Sequence, residues 1–473
     1  MGRFDLTVQR GVTAPASRRM RRAAATAAVF ASAVALAACG SSGSSGGGGT
    51  TGGGASQTAA SSGSASAAPK AGTINLWLAG LFATATPGTP YRQWINSQVS
   101  RFQAAYPGSK VNVTLLPANN DQFSAKLQAA FTSGQVPDVM LLYSGGYTTP
   151  YEQKLTALNK YVNASPGMYN SISAWDLSCG NLDCQGGKAP IYGVPLDFVS
   201  YGVFYNKAMF KKAGIAGPPS TFSELLSDCT KLKSTGVIPI AYGDRDGYST
   251  DNWVTYMYGS YMAPGDITKV NAGTLPYTSP KLVSPLQQLT ALHTQGCVNA
   301  DASTHENADA NNYFLSKKAA MVLMYPAVVS QFEKALGPDL GIFHVPVSGN
   351  GPLAGKVVGN SDHNFVIPQG AKNPALAFDF IKSATDETAG KQLLSMLGDP
   401  TLNRAAAASA GKDPIIRFFL QEAAAPAMPL LDSVVPVKIA LFYYKQLQAA
   451  FSGHATPQAA MQSVEASAKQ LNP

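Results

Sequence analysis

Charge is scarce in this sequence. Asp, Glu, Lys and Arg make up 13% of its 473 residues while the apolar group reaches 45%, a balance that excludes an intrinsically disordered chain and leaves room for two or three domains of ordinary size. Long apolar runs are missing too. The one of note, Ala23 to Ala38, falls short of the ~20 residues that a spanning helix needs, so a polytopic membrane protein is excluded. The short motifs of hydrolytic and nucleotide chemistry, H-E-x-x-H and the Walker A loop, do not occur. A formal G-x-S-x-G at Gly43 to Gly47 and a formal G-x-G-x-x-G at Gly47 to Gly52 lie in a Gly/Ser tract, away from the strand-turn-helix that gives either motif its chemistry. Asn307-Ala-Asp309-Ala-Asn311 has the alternation of a calcium loop, but its twelfth position is Lys318. Neither a metal nor a cofactor is expected, and no catalytic residue announces itself.

What is present begins at the amino terminus. Arg18, Arg19, Arg21 and Arg22 precede a short apolar core, the layout of an export signal. Arg18-Arg19 is a weak twin-arginine signal, and Met20 is an alternative start. The core ends at Leu36-Ala37-Ala38-Cys39-Gly40, which resembles the lipobox of bacterial lipoproteins and implies lipidation of Cys39. Residues 1–38 are thus read as a signal peptide and 39–72 as the lipidated Cys followed by a Gly/Ser-rich tether. Removing the leader lowers Lys+Arg from 35 to 29 and Asp+Glu from 27 to 26, leaving about +3 of the precursor's +8. No basic patch remains for the phosphates of a nucleic acid, so DNA and RNA are not expected partners.

Outside the cytoplasmic membrane the four remaining Cys favour disulfides, with three possible pairings. The expected set is Cys179 with Cys184, closing a small polar loop, and Cys229 with Cys297, tying two consecutive helical segments. C-x4-C without a second close pair or a nearby His is poor zinc spacing.

From Thr73 onward the pattern is α/β. Ile74, Leu76 and Leu78 alternate as a strand, Ile95, Val99, Phe102 and Tyr106 recur at helical spacing, and Val111, Val113 and Leu115 alternate again. A second helical stripe, Phe123 to Phe131, precedes the apolar run Val139 to Tyr143, expected to be a central parallel strand buried on both faces. After Tyr201, Val203 to Tyr205 and Val237 to Ile240 read as strands around a helix opened by the capping box Thr221-Phe-Ser-Glu224. Asn373-Pro374 and Thr456-Pro457 start two later helices.

Phe131-Thr-Ser-Gly-Gln-Val-Pro-Asp138-Val, Tyr192-Gly-Val-Pro195, Val203-Phe-Tyr-Asn-Lys207, Pro219-Ser-Thr-Phe-Ser-Glu224-Leu, Lys318-Ala-Ala-Met321, Ala371-Lys-Asn-Pro374 and Ser452-Gly453 occur in one order. Together they resemble the solute-binding proteins of bacterial ABC importers, specifically the extracellular sugar-binding group similar to maltose-binding protein. The resemblance covers nearly the whole mature chain. It implies a two-lobed type II periplasmic-binding-protein-like fold, each lobe a doubly wound sheet flanked by helices. Crossings fall near Leu196 to Tyr201, Gly359 to Asn364 and Leu402 to Lys412, so that 73–196 plus 363–405 form one lobe and 201–359 plus 406–473 the other. The implied function is a monomeric, membrane-anchored, extracytoplasmic receptor that captures a carbohydrate between the lobes and hands it to ABC permease subunits. The sequence departs from the family pattern at Phe222, where Trp is common, at Ser316, where Gly is usual, and at Ala327, where the maltose binder has a cleft Trp; the last two argue against maltose itself.

Sugar sites combine flat aromatic platforms with hydrogen-bonding side chains. Trp77 and Tyr143 end predicted strands, with Tyr147 just beyond, and Tyr143 aligns with a sugar-stacking Trp of the relative. Asp197 and Tyr201 lie at the first crossing, and Asn360, Asp362 and His363 at the second. Tyr325 follows a predicted strand. Gly243 to Trp253 is the densest polar and aromatic cluster, read as one loop that offers Tyr248 and Trp253. A lipid-anchored glycoside hydrolase is the enzymatic alternative and requires two carboxylates about 5 to 9.5 Å apart. A binder of peptides or polyamines is the third reading. Polyamines call for clustered acids, which only the 244–251 stretch approaches.

Overall fold

The structure, a computed structural model, describes residues 71–117, 120–172, 190–347, 351–424 and 428–471. The leader, Cys39, the tether and the expected Cys179–Cys184 pair lie outside the described residues.

Strand β1 (Thr73–Leu78) buries Ile74, Leu76 and Leu78 completely on one face, as its alternation requires. The helix Pro90–Ala105 begins where the Thr89 hydroxyl accepts the Arg92 N–H, and it presents Trp94, Ile95 and Phe102 to that face. β2 (Lys110–Leu115) and β3 (Val139–Tyr143) both pair parallel to β1, completing two strand-helix-strand units. The first sheet runs β2-β1-β3-β11-β4, where β4 is Gly193–Pro195 and β11 is His363–Val366. β3 is buried and central, but only one neighbour is parallel to it. The other, β11, returns from far along the chain and pairs antiparallel to β3 and β4.

The second sheet runs β7-β8-β6-β9, comprising Ile238–Ala241, Ala319–Met324, Gly202–Asn206 and Leu340–Phe343. β8 is buried at every position, as expected of a strand covered on both faces. The helix Phe222–Ser234 opens on Thr221, whose hydroxyl accepts the Glu224 N–H, while the Glu224 carboxylate accepts from the N–H and hydroxyl of Ser220. Cys229 on this helix is bonded to Cys297, with Cα atoms 5.3 Å apart. The helical segments it ties are not consecutive, because the helices Tyr248–Tyr258 and Asp266–Asn271 come between them.

Each sheet therefore owns a core: Leu76, Phe102, Leu141 and Phe365 in one, and Val203, Leu225, Trp253 and Leu286 in the other. Two cores on one chain make two lobes. Between them a two-stranded antiparallel ribbon pairs β5 (Phe198–Val199) with β10 (Asn360–Ser361), and Phe198 N–H donates to the Pro400 carbonyl at 3.0 Å. Three chain segments thus lie side by side at the join.

Candidate functional site

The join is where polar groups accumulate. Asp197 lies between β4 and β5 and is 2% exposed; its carboxylate accepts the backbone N–H of His363 at 2.8 Å and faces that ring's Nδ1 at 3.0 Å. His363 opens β11 with Asp362 immediately before it, and the Asp362 carboxylate lies 3.3 Å from the same Nδ1. Asp399 arrives from a third segment. Gly398, at φ 75°, ends the helix Glu387–Leu397 in the left-handed conformation and turns the chain toward Pro400. Tyr91 then donates its hydroxyl to Asp399 at 3.4 Å.

These acids repel one another in poorly solvated surroundings. Burial pushes the Asp362 carboxyl up to about 7, against the downward pull of His363 and with Asp197 and Asp432 adding repulsion. Burial, then Asp197, pushes Asp399 well above the usual carboxylate range. Burial opposes charge on His363, yet Asp197 and Asp362 prevail and hold the imidazole at about 9. Asp197, Asp362 and His363 bring potential metal-ligating atoms within 4.8 Å of one another. The three groups form one hydrogen-bonded cluster in which Nδ1 faces both carboxylates.

Aromatic rings close around the triad. Tyr143 stacks on His363 with centroids 4.8 Å apart, and Tyr147 lies 5.4 Å from Tyr143. Phe82 meets the His363 ring edge-on. From the second lobe, Tyr201 contacts Tyr248 and Tyr325 edge-to-face, each at 6.3 Å, and shares a hydroxyl–hydroxyl bond with Tyr248. Tyr444 packs on Tyr248 and donates to Asp432 at 2.6 Å. Burial raises all of these phenols, keeping them neutral hydrogen-bonding groups. The lobes also touch directly: a Cβ on Gly145 or Gly146 would collide with the carbonyl oxygen of Ser433 or Val435, so these glycines let the turn after β3 lie against the helix Leu431–Val434.

Of the side chains selected from sequence, Tyr143, Tyr147, Asp197, Tyr201, Tyr248, Tyr325, Asp362 and His363 come together here. Three do not join them as free binding groups. Trp77 faces the helix Asn120–Ser133, where the Lys126 ammonium sits 5.3 Å from its ring centroid. Trp253 is 1% exposed in the second core, because Gly243 to Trp253 is not one loop: a helix starts at Tyr248 and turns Trp253 inward. Asn360 is spent on the join, donating to Ser144 and the Ser361 carbonyl and accepting the Leu430 N–H at 3.1 Å. The acid cluster also lies elsewhere than expected, at the crossings rather than in 244–251. Sequence reading missed Tyr91, Asp399, Asp432 and Tyr444. The one local signal was Gly398-Asp399-Pro400, a helix stop carrying a carboxylate beside the third crossing.

Two sheets with separate cores, three crossing segments and a lining of carboxylates and phenols drawn from both lobes define a hinged receptor that closes on a small molecule. Residues 83–391 match the bacterial extracellular solute-binding protein family, and the chain belongs to it. A putative binding protein of Brucella abortus is 23% identical over 310 residues, covering 65% of this chain and 71% of that one. The sn-glycerol-3-phosphate-binding periplasmic protein UgpB of Yersinia pestis is 26% identical over 214 residues, 43% of this chain and 46% of its own. A chitin oligosaccharide binding protein superposes with a TM-score of 0.71 at 19% identity, covering 84% of this chain and 98% of that one. The chain is accordingly the solute-binding component of an ABC transporter, which acts outside the cytoplasm and delivers a small molecule to a permease; it is not an enzyme. Among the described residues no helix is long and apolar enough to cross a membrane.

Proposed function

We propose that the solute is a carbohydrate, held between lobes formed by 73–196 plus 363–405 and 201–359 plus 406–473, with the receptor monomeric and anchored outside the membrane through lipidated Cys39. The observation that carries the reading is the pairing of aromatic faces (Tyr143, Tyr147, Tyr248, Tyr325) with the carboxylates of Asp197, Asp362 and Asp432 in one interlobe space. A sugar presents C–H faces that stack on rings and hydroxyls that donate to carboxylates. The binding names of similar proteins offer both a chitin oligosaccharide and a glycerol phosphate. The cleft chemistry favours the first, because a phosphate group calls for Lys or Arg, and no ion pair among the described residues brings either to these acids.

A thermal-shift screen over mono-, di- and oligosaccharides tests the solute: a saccharide at 100 times its Kd adds about 2.7 kcal/mol of stability. A glycerol phosphate that shifts melting while every saccharide leaves it unchanged would refute the reading. Labelled-palmitate incorporation that disappears in Cys39→Ala tests the anchor separately.

A further inference from the structure

Asn360, in the second crossing, touches both lobes at once. It is 5% exposed, and its carboxamide divides between them. Nδ2 donates to Ser144 Oγ at 3.3 Å, at the end of β3 in the first sheet, and to the Ser361 carbonyl at 2.7 Å. Oδ1 accepts the Leu430 N–H at 3.1 Å, and Leu430 belongs to the second core. The orientation of the amide is fixed by its partners, since a backbone N–H only donates and a carbonyl only accepts. Backbone pairing reinforces the second link, with the Gly359 N–H donating to the Met428 carbonyl at 2.9 Å.

Beyond each anchor lies a wall of the cleft. Ser144 is preceded by Tyr143 and followed by Gly145, Gly146 and Tyr147, while Leu430 leads into the helix Leu431–Val434, which carries Asp432 and its partner Tyr444. The walls meet where Gly145 and Gly146 lie against the carbonyls of Ser433 and Val435, so closely that neither glycine admits a Cβ. Ser144 adjoins this contact, and Leu430 is one helical turn from it. A contact with no slack is set by what anchors its two sides, and Asn360 anchors both. Asp at this position would keep the acceptor and lose the donor; Ala would lose both.

We propose that Asn360 is a positioning residue for the solute site, setting the spacing between the Tyr143–Tyr147 wall and the Asp432 wall without touching the solute. This rests on the interlobe placement of the solute and not on its being a carbohydrate. A buried amide cannot move away from either lobe without leaving a donor or an acceptor unpaired, so the side chain favours one arrangement of the lobes over its neighbours.

Small-angle scattering and amide exchange on the unliganded protein test the role. Asn360→Ala should enlarge the radius of gyration and speed exchange at the Leu430 amide at least tenfold. Combined with Gly145→Val it should enlarge the particle no further than the larger single change does, because both act on one contact. Asn360→Asp should keep Leu430 protected yet enlarge the particle as the Ala variant does, a split that a side chain serving local stability alone would not produce. Should Asn360→Ala fail to fold, Asn360→Asp and Ser144→Ala carry the same scattering test. Titration with glucose, cellobiose and chitotriose then reads the site: any of them that binds the wild type should bind Asn360→Ala at least tenfold more weakly. A wild-type radius in the folded variants, additive enlargement in the double variant, or an unchanged sugar affinity overturns the positioning role. Silence from all three sugars counts against the carbohydrate reading and leaves the scattering to decide Asn360.

Discussion

His363 Nδ1 lies 3.0 Å from Asp197 Oδ2, and the two residues belong to different crossing segments. The pair binds the first crossing to the second, so on the proposed reading one interaction serves the hinge and the solute site together. Around it the Tyr256 hydroxyl accepts the Tyr201 N–H and donates to the Val358 carbonyl at 3.0 Å, bridging the same two segments from the second lobe. Rearrangement of the lobes must therefore be absorbed by a few backbone torsions in a zone whose side chains are fixed by partners.

Removing the carboxylate partner should be severe. Asp197→Ala leaves a buried imidazolium without its nearest counter-charge, and such a break costs about 3–5 kcal/mol. Chemical denaturation at pH 7 should show that loss, and solute binding should fail with it.

Stability of the unliganded protein should fall as pH rises from about 4 to 9. The His363 value is raised from 6.5 to about 9, so its contribution is full below 6.5 and is lost as pH climbs through 9. Asp362 is raised from 3.8 to about 7, so its contribution is full below 3.8 and gone above 7. Both slopes have the same sign. Asp266 and Asp301, lowered to about 2, act only below this window. Melting temperatures across the range check the slope, with His363→Gln expected to flatten its upper half and Asp362→Asn its lower half.

Gly145→Val should block lobe contact without harming either core. Its φ of 76° disfavours a side chain, and the new group would press on the Ser433 carbonyl. We expect a loss of about 1–2 kcal/mol in stability and a much larger loss in solute affinity, with small-angle scattering showing a more open particle.

Tyr143 and Trp253 separate binding from folding. Tyr143→Ala removes a partly exposed ring from the cleft and should weaken binding at least tenfold, at a smaller cost in melting. Trp253→Ala empties a core position and should cost about 3–5 kcal/mol whether or not solute is present.

The Cys229–Cys297 bond closes a separation of 68 residues. In the chain-entropy account a loop of that length contributes about 4 kcal/mol, so paired Cys→Ser substitution should lower the unfolding free energy from chemical denaturation by about that amount.

The sequence made most of the fold legible because its periodicities were unambiguous: Ile74-Leu76-Leu78 alternates and Phe123 to Phe131 repeats at helical spacing, and both became the elements they predict. β11 was harder, since nothing near His363 says that it inserts antiparallel between β3 and β4. The candidate site, whose binding role is a proposal, was half legible as a cluster. Asp197 stood out as a lone carboxylate amid apolar residues, and Asp362 and His363 by their place at the second crossing that the family resemblance implies. Asp399, Asp432 and Tyr444 reach the cleft through tertiary packing, which leaves no local pattern. Trp253 misled for a related reason. Gly, Asp and Ser around it suggested a loop, but Gly247 at φ 77° starts a helix there, and helical turning sends the indole into the core.

The most direct test is a titration of wild-type protein and Tyr143→Ala with the tightest-binding saccharide found by screening, followed by analysis of the recovered sugar. The account predicts one saccharide bound per chain, recovered intact, with affinity at least tenfold weaker in the variant. Unchanged affinity in the variant, or a cleaved sugar, would contradict it.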